Sequence, residues 1–296
     1  MVRRILLGVA LVALAVAPAF AETADEVIAK YIQAQGGADK LKATQTIRMT
    51  GTSTMSQGIQ MPLTRYSKRP NKMRVEFTFN GMTGIQAFDG TDAWGVMPFM
   101  GKTTPEVAPP EESARNAEQA DIDGPLLDYK AKGNTVELLG KEPVDSVETW
   151  KLKVTLKNKD ERTYYIETKT GLVRKTTGMT KMRGQDTEMY TTMSDYRDVQ
   201  GRMVPYTIVN GATGTEMKQT FVIDKVEINS PLADSLFAVP ANATRQTSAD
   251  SLQAKAPSGG SGEAAAAEKG TAADEKKAAT PKTTTTAKKK VAAKKS

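Results

Sequence analysis

The chain has 296 residues, with 41 Lys and Arg against 34 Asp and Glu, and it contains neither cysteine nor histidine. The missing residue types exclude disulfide stapling, Ser-His-Asp and Cys-His nucleophile systems and histidine-ligated metals. The formal charge of +7 belongs to the ends: two basic residues fall in 1–21, and ten basic and four acidic ones fall in 255–296, which leaves residues 22–254 at about −1.

Residues 1–21 read as a cleaved secretory signal peptide. Arg3 and Arg4 precede an apolar run from Ile5 to Ala17, Pro18 breaks it, and Ala19-Phe20-Ala21 supplies a small-residue cut site after Ala21. The run is shorter than the roughly 20 residues a spanning helix needs. Export is therefore expected, with residues 22–254 as the folded domain.

That domain opens with a predicted helix. Thr23 and Glu26 form a capping box, Val27, Ile28, Tyr31 and Ala34 make one apolar stripe, and Gly36-Gly37 supplies the stop. Ala38 to Ala43 can add a further turn or two. Beyond it the apolar period drops to two. Met73, Val75, Phe77 and Phe79 alternate with Lys72, Arg74, Glu76 and Thr78, and Trp150, Leu152, Val154 and Leu156 alternate with Lys151, Lys153 and Thr155. Rougher runs of the same kind lie near 46–55, 60–67, 83–88, 93–97, 135–139, 162–167, 172–179, 186–196, 203–209 and 215–228. Asn80-Gly81, Asp89-Gly90, Lys132-Gly133-Asn134, Thr170-Gly171, Gln200-Gly201 and Asn210-Gly211 punctuate them, and Gly211 to Thr215 reads as a hairpin turn. Short spacing with hairpin-type turns predicts a mainly β domain with a few helices, built as an antiparallel meander.

One stretch interrupts the strands. Residues 101–131 carry Pro105, Pro109 and Pro110, then a polar, helix-prone run from Glu111 to Ala120 closed by Gly124-Pro125. A long insertion in a meander serves either as a lid or as a solvated connection over a sheet edge. The C-terminal 255–296 is rich in Lys, Ala and Thr, with eight lysines and no acid within 276–296. Such a segment cannot bury enough apolar area to offset its ordering entropy, so a disordered basic tail is expected.

No constellation of residues points to catalysis. Asp121 with Asp123, and Asp160 with Glu161, lie in polar stretches beside turns, and Gly211-Ala212-Thr213-Gly214-Thr215 lacks the lysine of a phosphate loop. No metal or cofactor is expected. Thirteen methionines spread from Met49 to Met217, and flexible, polarisable thioethers suit either ordinary gap-filling or an adaptable apolar cavity.

Lys68-Arg69-Pro70-Asn71, followed by a strand and then Asp89-Gly90-Thr91-Asp92-Ala93-Trp94, resembles the signature of outer-membrane lipoprotein-sorting proteins, the carriers of the LolA/LolB type. Asp234-Ser235-Leu236-Phe237-Ala238-Val239-Pro240 is similar to the closing element of that family, and the likeness spans roughly 23–243. The resemblance implies an incomplete antiparallel β-barrel, a half-pipe whose apolar concave face is lidded by helices. It implies a periplasmic carrier that shields acyl chains of lipoproteins or lipids, with an inner-membrane ABC transporter and an outer-membrane receptor as partners. Arg69 takes the position of the lid-gating arginine, while Met73 stands where the family has an aromatic. The expected lipid-binding residues are Met73, Val75, Phe77, Phe79, Trp94, Met97, Trp150 and Leu152. A second reading stays open: an extracytoplasmic binding module whose basic tail engages anionic lipid, lipopolysaccharide or cell-wall polymer, with nucleic acid not expected.

Overall fold

A computed structural model of the protein describes residues 22–182 and 184–245. The expected signal peptide, residues 246–254 of the expected domain and the basic tail lie outside the described residues.

The capping box forms as its residues predict. In α1 (Ala24–Ala34) the Thr23 N–H donates to Glu26 Oε2 at 2.7 Å, and the Glu26 N–H donates back to Thr23 Oγ1 at 3.3 Å. Gly36 and Gly37 follow at φ +112° and +90°, and α2 (Ala38–Ala43) begins at once. Gly36 is required twice over, because a Cβ there would stand 2.0 Å from the carbonyl oxygen of Gly201.

Fourteen strands make one open sheet: β1 (Thr46–Met55), β2 (Gln60–Lys68), β3 (Lys72–Phe79), β4 (Met82–Phe88), β5 (Ala93–Met97), β6 (Lys102–Val107), β7 (Thr135–Val144), β8 (Val147–Thr155), β9 (Glu161–Glu167), β10 (Val173–Met182), β11 (Gln185–Val199), β12 (Arg202–Ala212), β13 (Lys218–Ile228) and β14 (Thr244–Arg245). Their spatial order is β14-β6-β5-β4-β3-β2-β1-β13-β12-β11-β10-β9-β8-β7, antiparallel except for the parallel β14–β6 pair, and β7 and β14 do not meet. The half-pipe expectation holds. Apart from the β1–β13 and β6–β14 pairs, neighbouring strands are joined by hairpins, and the Asn80-Gly81 turn has φ +49° and +74°, the doubly left-handed geometry that matches strand twist.

Two features differ from the sequence reading. β6 runs through Pro105 inside the supposed insertion; only Glu106 and Val107 pair with β14, so the missing N–H of Pro105 falls on an open edge. Asn210-Gly211 is no turn. β12 continues through both, because the Tyr190 ring occupies the space where a Cβ on Gly211 would stand, and the turn comes after Ala212.

Register divides the side chains between two faces. Met73 lies opposite Phe88, and Phe88 opposite Ala93, on the concave face. Arg74, Ala87, Trp94 and Val107 lie opposite one another on the convex one. Three patches of core line the concave side. Val27 and Ile28 of α1 press with Leu126 onto Trp150, Leu152, Val154, Ile166 and Val173. Ile122 covers Ile47, Val204, Tyr206, Ile223, Val226 and Ile228. Ala117 and Ala120 of α3 (Pro110–Ala120) cover Leu63, Met73, Val75, Phe88 and Ala93. Full burial of a residue the size of Val27 or Ile28 contributes about 1.5–3 kcal/mol, so α1 is held chiefly by this contact and not by propensity.

Candidate functional site: a lidded apolar trough

The concave floor is apolar at both flanks and polar along part of its centre. Leu152, Tyr164, Thr176, Thr191, Asn210 and Gln219 succeed one another across neighbouring strands. The polar members pair locally: Thr191 Oγ1 bonds Asn210 Oδ1 at 2.8 Å, and Gln219 donates to Ser53 Oγ at 2.8 Å.

Of the expected lipid-binding residues, the structure brings most to this face but not into one cluster. Met73 is buried in the floor beneath α3, with Val75 beside it and Phe77 packed against them. Phe79 and Met97 stand further along, towards the hairpin tips, where Phe79 meets Phe99 edge-on with ring centroids 6.0 Å apart. Met97 and Phe99 both lie over Gly84, whose lack of a side chain makes room for them. Trp150 and Leu152 belong to the opposite flank, sealed beneath α1. There the Trp150 indole N–H donates to the Glu22 carboxylate, and Lys30 Nζ sits 4.7 Å from the ring centroid.

Trp94 does not join them. It occupies the convex face with Ala87 and Val107, and its indole N–H donates to the Phe237 carbonyl at 2.9 Å. Placing it in the trough is corrected by the β4–β5 register, which turns Ala93, and hence not Trp94, inward.

The lid is α3 with the turns that follow it, residues 110–134. Leu126 and Leu127 anchor its end by burial, and arginines hold residues 118–123 to the sheet. Arg69, at the end of β2, forks onto Asp123: Nη1 to Oδ2 at 2.7 Å and Nη2 to Oδ1 at 2.6 Å. The same guanidinium donates to the α2 carbonyls of Thr44 (2.6 Å) and Leu41 (2.9 Å), so it ties lid, first helices and sheet together. The lid offers Arg69 a carboxylate, and the carbonyls come from the α2 segment. Hydrogen bonding to Asp123 raises the pKa of Arg69 further.

Three more arginines reach the lid, and the sequence reading missed them. Arg65 donates to the Gln119 carbonyl at 2.7 Å, Arg202 to the Ile122 carbonyl at 3.0 Å, and Arg162 to Glu118 Oε2 at 3.3 Å. Burial lowers the pKa of Arg65 and of Arg202, and it raises that of Glu118 against the opposing pull of Arg162. Lys132 adds a bond to the Gly124 carbonyl at 2.6 Å and an ion pair to Asp121 at 2.5 Å within the lid itself. Their signal was present in the sequence: Arg65 shares parity with Leu63, Arg162 with Tyr164 and Ile166, and Arg202 with Val204 and Tyr206, a charge at an inward position each time.

A cavity of about 560 Å³ opens beside α3, lined by Phe88, Ala108, Ser113 and Ala117, with the Asp92–Arg245 ion pair also on its wall. The methionines span a range of environments, with Met49, Met97, Met189, Met193 and Met203 half-buried. Met61 and Met73 are buried in the floor, whereas Met55, Met82, Met100 and Met217 are exposed at hairpin tips along one end of the sheet. Among the described residues no group of three or more Asp and Glu side chains could hold a metal ion, and no helix is long and apolar enough to cross a membrane.

An open antiparallel half-pipe with a latched helical lid defines a LolA-like fold, and solved structures agree. The chain is similar to a LolA superfamily protein from Nitrosomonas europaea, at 15% identity and TM-score 0.50, over 74% of this chain and 98% of that one. It is similar also to a DUF1329 family protein from Desulfovibrio piger, at 13% identity and TM-score 0.51, over 72% of this chain and 96% of that one. No protein-family model and no curated protein matches the sequence.

Proposed function

We propose that the protein is an extracytoplasmic carrier, exported by cleavage after Ala21, that shields acyl chains of lipoproteins or lipids in its concave trough and performs no chemistry on them. In a periplasm it would receive cargo at the inner membrane and release it towards the outer membrane, with an ABC transporter and a receptor as the corresponding partners. One observation carries the reading: a helix and its following turns cover an apolar floor through a set of separable polar contacts, centred on Arg69 and Asp123. A lid meant to stay would be expected to bury large apolar side chains. α3 itself buries only Ser113 and Ala120, and the large apolar anchors of the segment, Leu126 and Leu127, lie in the turns after it, so the helix can lift about a fixed end. Each methylene that replaces it on the floor contributes about 0.8 kcal/mol, a gain that grows with chain length and offsets the released lid contacts.

Native mass spectrometry of the mature protein, followed by organic extraction, tests the reading. Bound diacyl or triacyl species displaced by lipid-like competitors support it; a clean apo mass with no uptake of offered lipids defeats it. The lysine-rich 276–296 favours a second role at anionic surfaces, with each lysine contributing about 1 kcal/mol at most. Deleting 255–296 separates the two, because a carrier keeps its lipid while a tail-driven module loses its partner.

A further inference from the structure

The inward arginines raise a question about cargo. Arg65, Arg162 and Arg202 leave the floor at positions flanked by apolar residues: Arg65 lies opposite Val75 and Met49, and Arg162 opposite Val154. All three reach residues 118–122 of the lid, next to the Arg69 contact at Asp123. The inward positions of β2, β9 and β12 supply these three cations and no carboxylate; on the lid Glu118 faces Arg162 and Asp123 faces Arg69, while Asp160, just before β9, lies 3.6 Å from Arg162 as well. Nη1 of Arg202 is buried and has no hydrogen-bond partner among the described residues.

Cargo that fills the trough must lift residues 118–123; the acceptors of Arg65 and Arg202 leave with them, and Arg162 keeps only Asp160 and the Glu161 carbonyl. Guanidiniums stranded over an apolar floor are costly, because a buried charge without a partner keeps its full desolvation penalty. An amphiphile with an oxyanion next to its chains replaces the lost acceptors, and the planar fork of arginine matches two oxygens of one phosphate or carboxylate. A neutral glycerolipid brings only ester and hydroxyl oxygens. We propose that Arg65, Arg162 and Arg202 form a headgroup site that selects amphiphiles bearing a phosphate or carboxylate beside the acyl chain. The inference rests on the carrier reading and narrows its cargo.

The full chain is offered dioleoyl phosphatidic acid against dioleoylglycerol, and palmitate against methyl palmitate, with bound lipid counted by native mass spectrometry. The expected result is a preference of about tenfold or more for the anion in at least one pair, in keeping with charge-assisted hydrogen bonds. The pair that shows it distinguishes phosphate from carboxylate. In R65Q/R202Q that ratio falls towards one, while R65K/R202K, which keeps both charges, retains most of it; matched thermal melts confirm that each variant is folded. Equal loading of anionic and neutral partners by the wild type overturns the proposal, and so does an unchanged ratio in R65Q/R202Q. If none of the four lipids loads, the carrier reading itself fails.

Discussion

Arg69 and Asp123 meet through two parallel N–H···O bonds of 2.7 and 2.6 Å, although 54 residues separate them in the chain. Both side chains are mostly withdrawn from water, at 23% and 10% exposure. Charge-assisted, bidentate and partly desolvated, the contact is among the stronger kinds of polar interaction. Asp123→Asn keeps the shape and removes the charge. It is expected to cost about 2 kcal/mol and to raise amide exchange across residues 118–134 more than elsewhere, which hydrogen-exchange mass spectrometry reads directly. Uniform exchange across the sheet would mean that the pair does not latch the lid.

Glu118 links the lid to pH. Burial raises its pKa, so the folded protein holds this proton more tightly than the unfolded chain does. Its contribution is therefore fully present below the ordinary carboxylate value and declines as pH rises through the raised one. Glu118→Gln removes that decline. Thermal melts from pH 4 to pH 7 are expected to show the variant gaining on the wild type as pH rises. The opposite trend would show that the Arg162 pair dominates burial.

Phe77 and Trp94 are both aromatic and both near the same hairpins, yet register places them on opposite faces. Phe77→Asp is expected to abolish uptake of an acyl-chain probe in a protein that still folds. Trp94→Phe loses the bond to the Phe237 carbonyl, costs about 1 kcal/mol and leaves uptake unchanged. Equal effects of the two on uptake would contradict the division of faces.

Leu152 is fully buried beneath α1. Leu152→Ala is expected to destabilise the fold by about 2–5 kcal/mol through lost burial and a residual cavity. Urea denaturation measures it, and a loss under 1 kcal/mol would mean that α1 settles into the space.

Gly36→Ala should lower stability by about 2 kcal/mol or more, from strain at positive φ and from the approach of the Gly201 carbonyl. A melting point equal to wild type would show that the α1–α2 junction shifts freely.

Local chemistry reads directly from the chain because its causes lie within a few residues. The Thr23–Glu26 cap, the Asn80-Gly81 turn and the period-two strands all form where their residues predict them. Asn210-Gly211 and Pro105 mislead for a single reason: a turn-former or a proline is judged by what surrounds it. Tyr190 above Gly211 and the open edge at β6 are both supplied by distant strands.

The sequence by itself determined that the domain is an antiparallel, one-sided β structure with a capped first helix, because hydrophobic period and turn chemistry are local quantities. It also pointed to Arg69, through Lys68-Arg69-Pro70. Which face each strand turns inward was decided only by tertiary register, since a shift of one residue reverses every side chain. Trp94 went outward for that reason, and Arg65, Arg162 and Arg202 went inward. Their convergence on five residues of lid is a property of the folded sheet, because nothing in the spacing of positions 65, 162 and 202 brings them together until β2, β9 and β12 share one concave floor.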